Sequence, residues 1–166
     1  HALTGHKQAA GFHALDEDKV GWWDACIGRR KCIDTDNVYV LSLNSLGGCH
    51  GSTGPNSIDR STDEIFGPNF PNVVVKDWVA SQAHLADHLG IQKFAAVIGG
   101  SLGGMQAMQW SIDFPERLYS AVLIASAAKL SAQNIAFNEI ARQAITTDED
   151  YCAGDYQQFD KNPEKG

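Results

Sequence analysis

Residues Phe94–Met105 read FAAVIGGSLGGM, and the fold turns on how that stretch is understood. An apolar run, Phe94–Ile98, ends in Gly99-Gly100-Ser101-Leu102-Gly103-Gly104 and passes directly into Met105-Gln106-Ala107-Met108-Gln109-Trp110, a helix-forming segment. The order predicts a buried strand, a very tight turn and a helix. Within it Gly99, Ser101 and Gly103 fit G-x-S-x-G, the spacing that holds a nucleophilic serine on a sharp strand-to-helix turn. Such a turn strains the serine's backbone, and side chains two residues away would obstruct it, so glycines flank it. The hydroxyl then stands at a helix N-terminus, where free N–H groups and the positive dipole end can stabilise an oxyanion. A Walker loop is excluded because no lysine follows these glycines. A dinucleotide fingerprint is excluded because Gly99-Gly100-Ser101 does not begin G-x-G-x-x-G.

On either side of this turn, strand and helix patterns alternate. Asp34-Thr35-Asp36-Asn37 is a turn, and Val38–Leu43 after it reads as a buried strand. The glycine-rich loop Asn44–Pro55, NSLGGCHGSTGP, leaves the C-terminal end of that strand, where open α/β sheets place their ligands. It is expected either at a pocket rim or as a plain connector, and Ser57–Pro71 as a surface excursion. Asp77 is expected to cap a helix through Leu89, with Trp78, Leu85 and Leu89 near one face and Gly90 as its stop. The helix after Ser101 should end near Asp113, before Pro115; Ala121–Ala125 reads as a strand and Ser131–Ile145 as a helix. His1–Phe12 reads as a loop and Thr146–Gly166 as weakly structured. Trp22-Trp23 suit core filler or a pocket wall, packing being preferred, and Arg29-Arg30-Lys31 a solvated turn. The fold class is α/β, a mostly parallel sheet covered by helices.

A chain of 166 residues can bury a real core as one domain, and its net charge of −7 argues against nucleic acid and anionic membrane surfaces as partners. No apolar run is long enough to span a bilayer, and no secretory pattern is present. Cys26, Cys32, Cys49 and Cys152 form no C-x-x-C pair, which suits reduced thiols and a cytoplasmic location. No metal site is expected: His84 and His88 stand at i, i+4 without the glutamate of H-E-x-x-H, as solvated helix histidines do.

A serine hydroxyl needs a base, and the base an orienting carboxylate. Asp113, Asp148, Asp150, Asp155 and Asp160 follow Ser101, but no histidine does. The chain as written is therefore expected to be inactive, either an internal fragment of a longer enzyme or a truncated, non-catalytic relative.

HALTG at the start, GWWD, the LGG-C-x-GSTGP loop, GGSLGGMQA and KLSAQNIAFNE (Lys129–Glu139) stand in the order of the conserved blocks of one family. In these, over nearly its whole length, the chain resembles the homoserine O-acyltransferases of methionine biosynthesis, an α/β-hydrolase-fold group transferring acetyl or succinyl from coenzyme A to homoserine. The resemblance implies an α/β-hydrolase fold, incomplete here, lacking its first strands and C-terminal third. Residues 1–130 would form the N-terminal core with the elbow, and 131–166 the start of a helical lid. It also implies Ser101 as the acyl-accepting nucleophile of a ping-pong reaction, with the backbone N–H groups of Leu3 and Leu102 as the oxyanion hole. The family's aspartate, histidine and homoserine-gripping arginine would lie beyond Gly166, so substrate-binding residues are not assigned. L-Homoserine and acyl-CoA would be the small-molecule substrates, with no tightly bound cofactor and a homodimer as the full-length assembly. The chain departs from the family at Asp59-Arg60 and Ser61–Ile65, where an Asn-Pro turn is usual. The rival expectations are a serine esterase or hydrolase on the same fold, and a non-catalytic binding module.

Overall fold

The computed structural model describes residues 1–12 and 18–165. Contacts divide the chain into two units, His1–Ser45 with Val74–Ser126, and Leu46–Val73 with Ala127–Gly166.

The smaller unit carries two short antiparallel strands, β1 (Ile58–Asp59) and β2 (Glu64–Ile65). They turn on Asp59, whose carboxylate accepts the Ser61 N–H at 2.8 Å and whose carbonyl accepts the Asp63 N–H at 2.8 Å. The expected surface excursion thus contains a hairpin, too short to show a period in sequence.

In the larger unit, helix α1 (Val75–His88) begins at Val74, and the Asp77 carboxylate accepts the Val74 N–H at 2.8 Å. Asp77 therefore helps start the helix from within its first turn; it is not the cap itself. Gly90, at φ +71°, ends it in the left-handed conformation open to glycine. The buried face is Val79, Ala83 and Ala86, while Leu89 is exposed. Trp78 and Leu85, expected near one face together with Leu89, are half-buried.

Strand β3 (Val97–Gly100) runs into α2 (Leu102–Asp113), which returns through Pro115 to β4 (Ala121–Ile124). β3 and β4 pair in parallel, Val97 opposite Ala121 and Gly100 opposite Ile124. This unit of strand, helix and strand carries the elbow, as the sequence predicts. The core beneath it is Val79, Ala83, Trp110 and Leu118, with Phe94, Val97, Phe114 and Ala121 packed around them. Trp110, only 2% exposed, meets Phe94 edge-on at 5.6 Å and Phe114 at 5.1 Å. Its indole N–H donates to Gln82 Oε1 at 2.7 Å, and Gln82 Nε2 donates to Gln106 Oε1 at 2.6 Å. Gln82→Leu strands both ends of this relay, the Trp110 donor and the Gln106 acceptor. We expect it to lower unfolding free energy by about 1–3 kcal/mol, read as a lower urea midpoint with unchanged slope.

Val38–Leu43 departs from expectation. It forms no strand among the described residues. The segment and Ala95–Ile98 instead line one cavity of about 410 Å³. A ladder needs its partner backbone about 4.8 Å away, so an apolar, β-branched sequence alone does not make a strand.

The last helix, α3 (Ala132–Thr146), belongs to the smaller unit and is capped by the Ser131 hydroxyl, which accepts the Asn134 N–H at 3.2 Å. None of its residues is buried, and Ile135, Phe137 and Ile140 are exposed. The tail read as weakly structured holds 3₁₀ turns within Glu149–Gly154, kinked at Cys152 and Ala153, whose φ values are positive. All four cysteines are free thiols, and no group of metal-ligating side chains occurs among the described residues. No helix there is long and apolar enough to cross a membrane.

Candidate active site

Ser101 sits between β3 and α2 with φ +54° and ψ −118°, outside the conformations that L-residues ordinarily adopt. Strain of this kind costs about 1–3 kcal/mol and survives only where neighbours impose it. The neighbours are visible. A side chain at Gly99 would put its Cβ 1.9 Å from the Gly103 carbonyl oxygen, and one at Gly103 would put it 3.0 Å from the His1 backbone. Gly99 is thus required by space, and a side chain at Gly103 would press on the His1 backbone. The serine itself carries the unusual torsion.

The exposed Ser101 side chain makes no capping bond to α2. It opens on a cavity lined by Ala2, Thr4, Gly5, His6, Trp22, Trp23, Gly100, Ile124 and Ala125. The Trp rings lie 4.8 Å apart, and Trp22 Nε1–H donates to the His6 carbonyl at 2.9 Å. The tandem tryptophans are therefore a pocket wall, where packing alone was the preferred expectation. His6 Nδ1 accepts the Gln8 N–H at 3.1 Å.

Leu102 opens α2 directly after Ser101. Leu3 lies between the lining residues Ala2 and Thr4, in a turn closed by the Gly5 N–H on the Ala2 carbonyl at 2.9 Å. That turn does not use the Leu3 N–H, and the Leu3 side chain is exposed. The glycine-rich loop of residues 44–55 belongs mainly to the other unit, where Gly47 N–H bonds the Thr53 carbonyl at 2.8 Å. Arg29-Arg30-Lys31 is a turn with its own ion pairs, Arg29–Asp36 and Lys31–Asp24, both 2.9 Å. His84 and His88 are exposed on α1.

Asp24 follows the two tryptophans directly in the chain. Its carboxylate accepts the Gly11 N–H and the Lys31 ammonium, each at 2.9 Å. The Gly11 bond first, then Lys31, hold its pKa below the ordinary carboxylate value. A depressed folded pKa contributes stability above the unfolded pKa, lost as pH falls through the folded one. Acidification should therefore weaken the Asp24 bonds to Gly11 and Lys31, and Asp24→Asn should flatten the fall of melting temperature between neutral and acid pH. Identical acid profiles for parent and variant would show that Asp24 holds nothing.

The family model described as the alpha/beta hydrolase fold matches residues 23–165. The chain belongs to the α/β-hydrolase fold family. Among curated proteins it is similar to the homoserine O-succinyltransferase of Marinobacter nauticus, 63% identical over all of this chain and 44% of the relative. That of Hahella chejuensis is 60% identical over all of this chain and 43% of the relative. The chain thus spans less than half the length of the curated relatives it matches. Among solved structures, esterase E22 matches with TM-score 0.90 and 34% identity over 99% of this chain and 46% of that one. The homoserine O-acetyltransferase from Bacillus anthracis matches with TM-score 0.87 and 29% identity over 97% and 45%.

Proposed function

We propose that the full-length protein is a homoserine O-acyltransferase with succinyl-CoA as donor, working by ping-pong transfer through an acyl-serine on Ser101. The identity of 63% over the whole chain to a protein named homoserine O-succinyltransferase carries this reading. The elbow supplies the chemistry. Ser101 attacks the thioester carbonyl, a C–O bond forms and the C–S bond breaks, and the thiol of coenzyme A leaves. The oxyanion is held by the N–H groups of Leu102 and Leu3, each such donor worth about 3–4 kcal/mol in an acyl-transfer site. Homoserine's hydroxyl then attacks the acyl-serine and frees Ser101. Residues 102–166 contain no histidine, so the base acting on these protons is not among them. In this reading the protein acts in methionine biosynthesis in the cytoplasm as a homodimer, and L-homoserine and the acyl thioester are its substrates.

The second reading is hydrolysis, favoured by the likeness to esterase E22 at TM-score 0.90. The two readings part on water. A transferase must keep water from the acyl-serine long enough for homoserine to arrive. Thiol release from succinyl-CoA by the full-length protein, with and without homoserine, separates them. Release that rises with homoserine and yields O-succinylhomoserine is expected, and release indifferent to homoserine would make the protein a hydrolase.

A further inference from the structure

Ser126 follows β4 and has no part in the motif, yet its side chain touches the backbone of the nucleophile. Its hydroxyl donates to the Ser101 carbonyl at 2.8 Å. The same carbonyl accepts the N–H groups of Gly104 at 3.0 Å and Met105 at 3.2 Å, bonds that the first turn of α2 makes with any sequence. On the other side, the Ser101 N–H donates to the Ile124 carbonyl at 2.9 Å. The end of β4 therefore brackets Ser101, with Ile124 taking its N–H and Ser126 holding its C=O. Between them Ala125, at φ +48°, turns the chain so that one short segment can do both. The bracket is packed tightly. A Cβ at Gly104 would stand 2.5 Å from Ser126 Cβ and 2.8 Å from its Oγ, so α2 lies directly on this side chain.

The chemical consequence follows from the peptide bond. The Ser101 carbonyl and the Leu102 N–H belong to one planar unit and point in opposite directions. Fixing the carbonyl fixes where that N–H aims. We infer that Ser126 is a positioning residue for the acyl-transfer site, its hydroxyl locking the 101–102 peptide so that Leu102 N–H faces the oxyanion. This rests on the reading of Ser101 as the nucleophile. A serine suits the place because it adds a donor with little bulk against Gly104. Alanine would leave the carbonyl to its helical bonds, and the peptide free to tilt.

The test compares Ser126→Ala and Ser126→Cys in the full-length protein with the parent. Its readouts are succinyl-CoA thiol release with homoserine, melting temperature, and the fraction of Ser101 labelled by an organophosphorus fluoride. For Ser126→Ala, kcat should fall about tenfold, the effect of one neutral hydrogen bond, with KM for homoserine and the labelled fraction unchanged. Ser126→Cys, a weaker donor of similar size, should fall between the two. If Ser126→Ala does not fold, the cysteine variant decides alone: a lowered kcat at full labelling supports the inference, and parental kcat overturns it. Parental kcat in Ser126→Ala also overturns it. So does a loss of rate matched by a loss of labelled fraction, which marks a packing role. A parent that labels at Ser101 but transfers no acyl group to homoserine refutes the proposed function instead.

Discussion

Ser101→Ala in the full-length protein will lower kcat for acyl transfer by about 10⁴–10⁶-fold, the loss seen when a nucleophile that works as part of a unit is removed. Everything else at the elbow exists to hold this hydroxyl. Gly99 and Gly103 clear the space, and Ile124 and Ser126 bracket the backbone. In the proposed mechanism none of that compensates once the oxygen that would form the acyl ester is gone. Because the side chain is exposed and caps nothing, the variant should melt at the parental temperature. Thiol release together with mass analysis of the peptide carrying residue 101 checks both halves. Incubation with succinyl-CoA should leave an acyl adduct on the parent peptide and none on the variant. An alanine variant that still turns over at a hundredth of the parental rate would remove Ser101 from the mechanism.

Gly99→Ala should be the most damaging single-methyl substitution at the elbow. The added carbon would lie 1.9 Å from the Gly103 carbonyl oxygen, 2.1 Å from its carbon and 2.7 Å from the Gly104 nitrogen. All three atoms are backbone, so no side chain can swing aside. Either β3 and α2 separate, exposing Trp110 and its neighbours, or the elbow opens. We expect a loss of about 3 kcal/mol or more, and a fall in melting temperature of roughly 6–12 °C. Gly90→Ala is the control. It has nothing within 4 Å, and its cost is only that of placing alanine at φ +71°, about 1 kcal/mol. If the two alanine variants melt alike, close packing at Gly99 is not what holds the elbow.

The difference between those two glycines also shows how far the residues speak for themselves. Gly90 was legible as a helix stop because its role is local, a backbone torsion that follows from its place after an apolar-periodic segment. The elbow was legible for the same reason. Strand, glycines and helix are contiguous, and the α2 and β4 boundaries follow from Pro115 and the apolar run after it. By contrast, Val38–Leu43 has a strand's composition and no strand, since a ladder depends on backbone that is distant in the chain. Periodicity puts Trp78, Leu85 and Leu89 near one face of α1 but does not say which residues a close helix neighbour covers, and those are Val79, Ala83 and Ala86. The Trp22-Trp23 wall and the Ser126 hydroxyl lie 78–79 and 25 residues from Ser101 in sequence and join its cavity or its backbone only in space. Contiguous residues alone single out Ser101 as the candidate nucleophile and predict the parallel strand–helix–strand unit and the family resemblance. The tertiary structure alone decided what encloses Ser101 and what holds its peptide in place, because those contacts depend on which distant backbone the fold brings within about 3 Å.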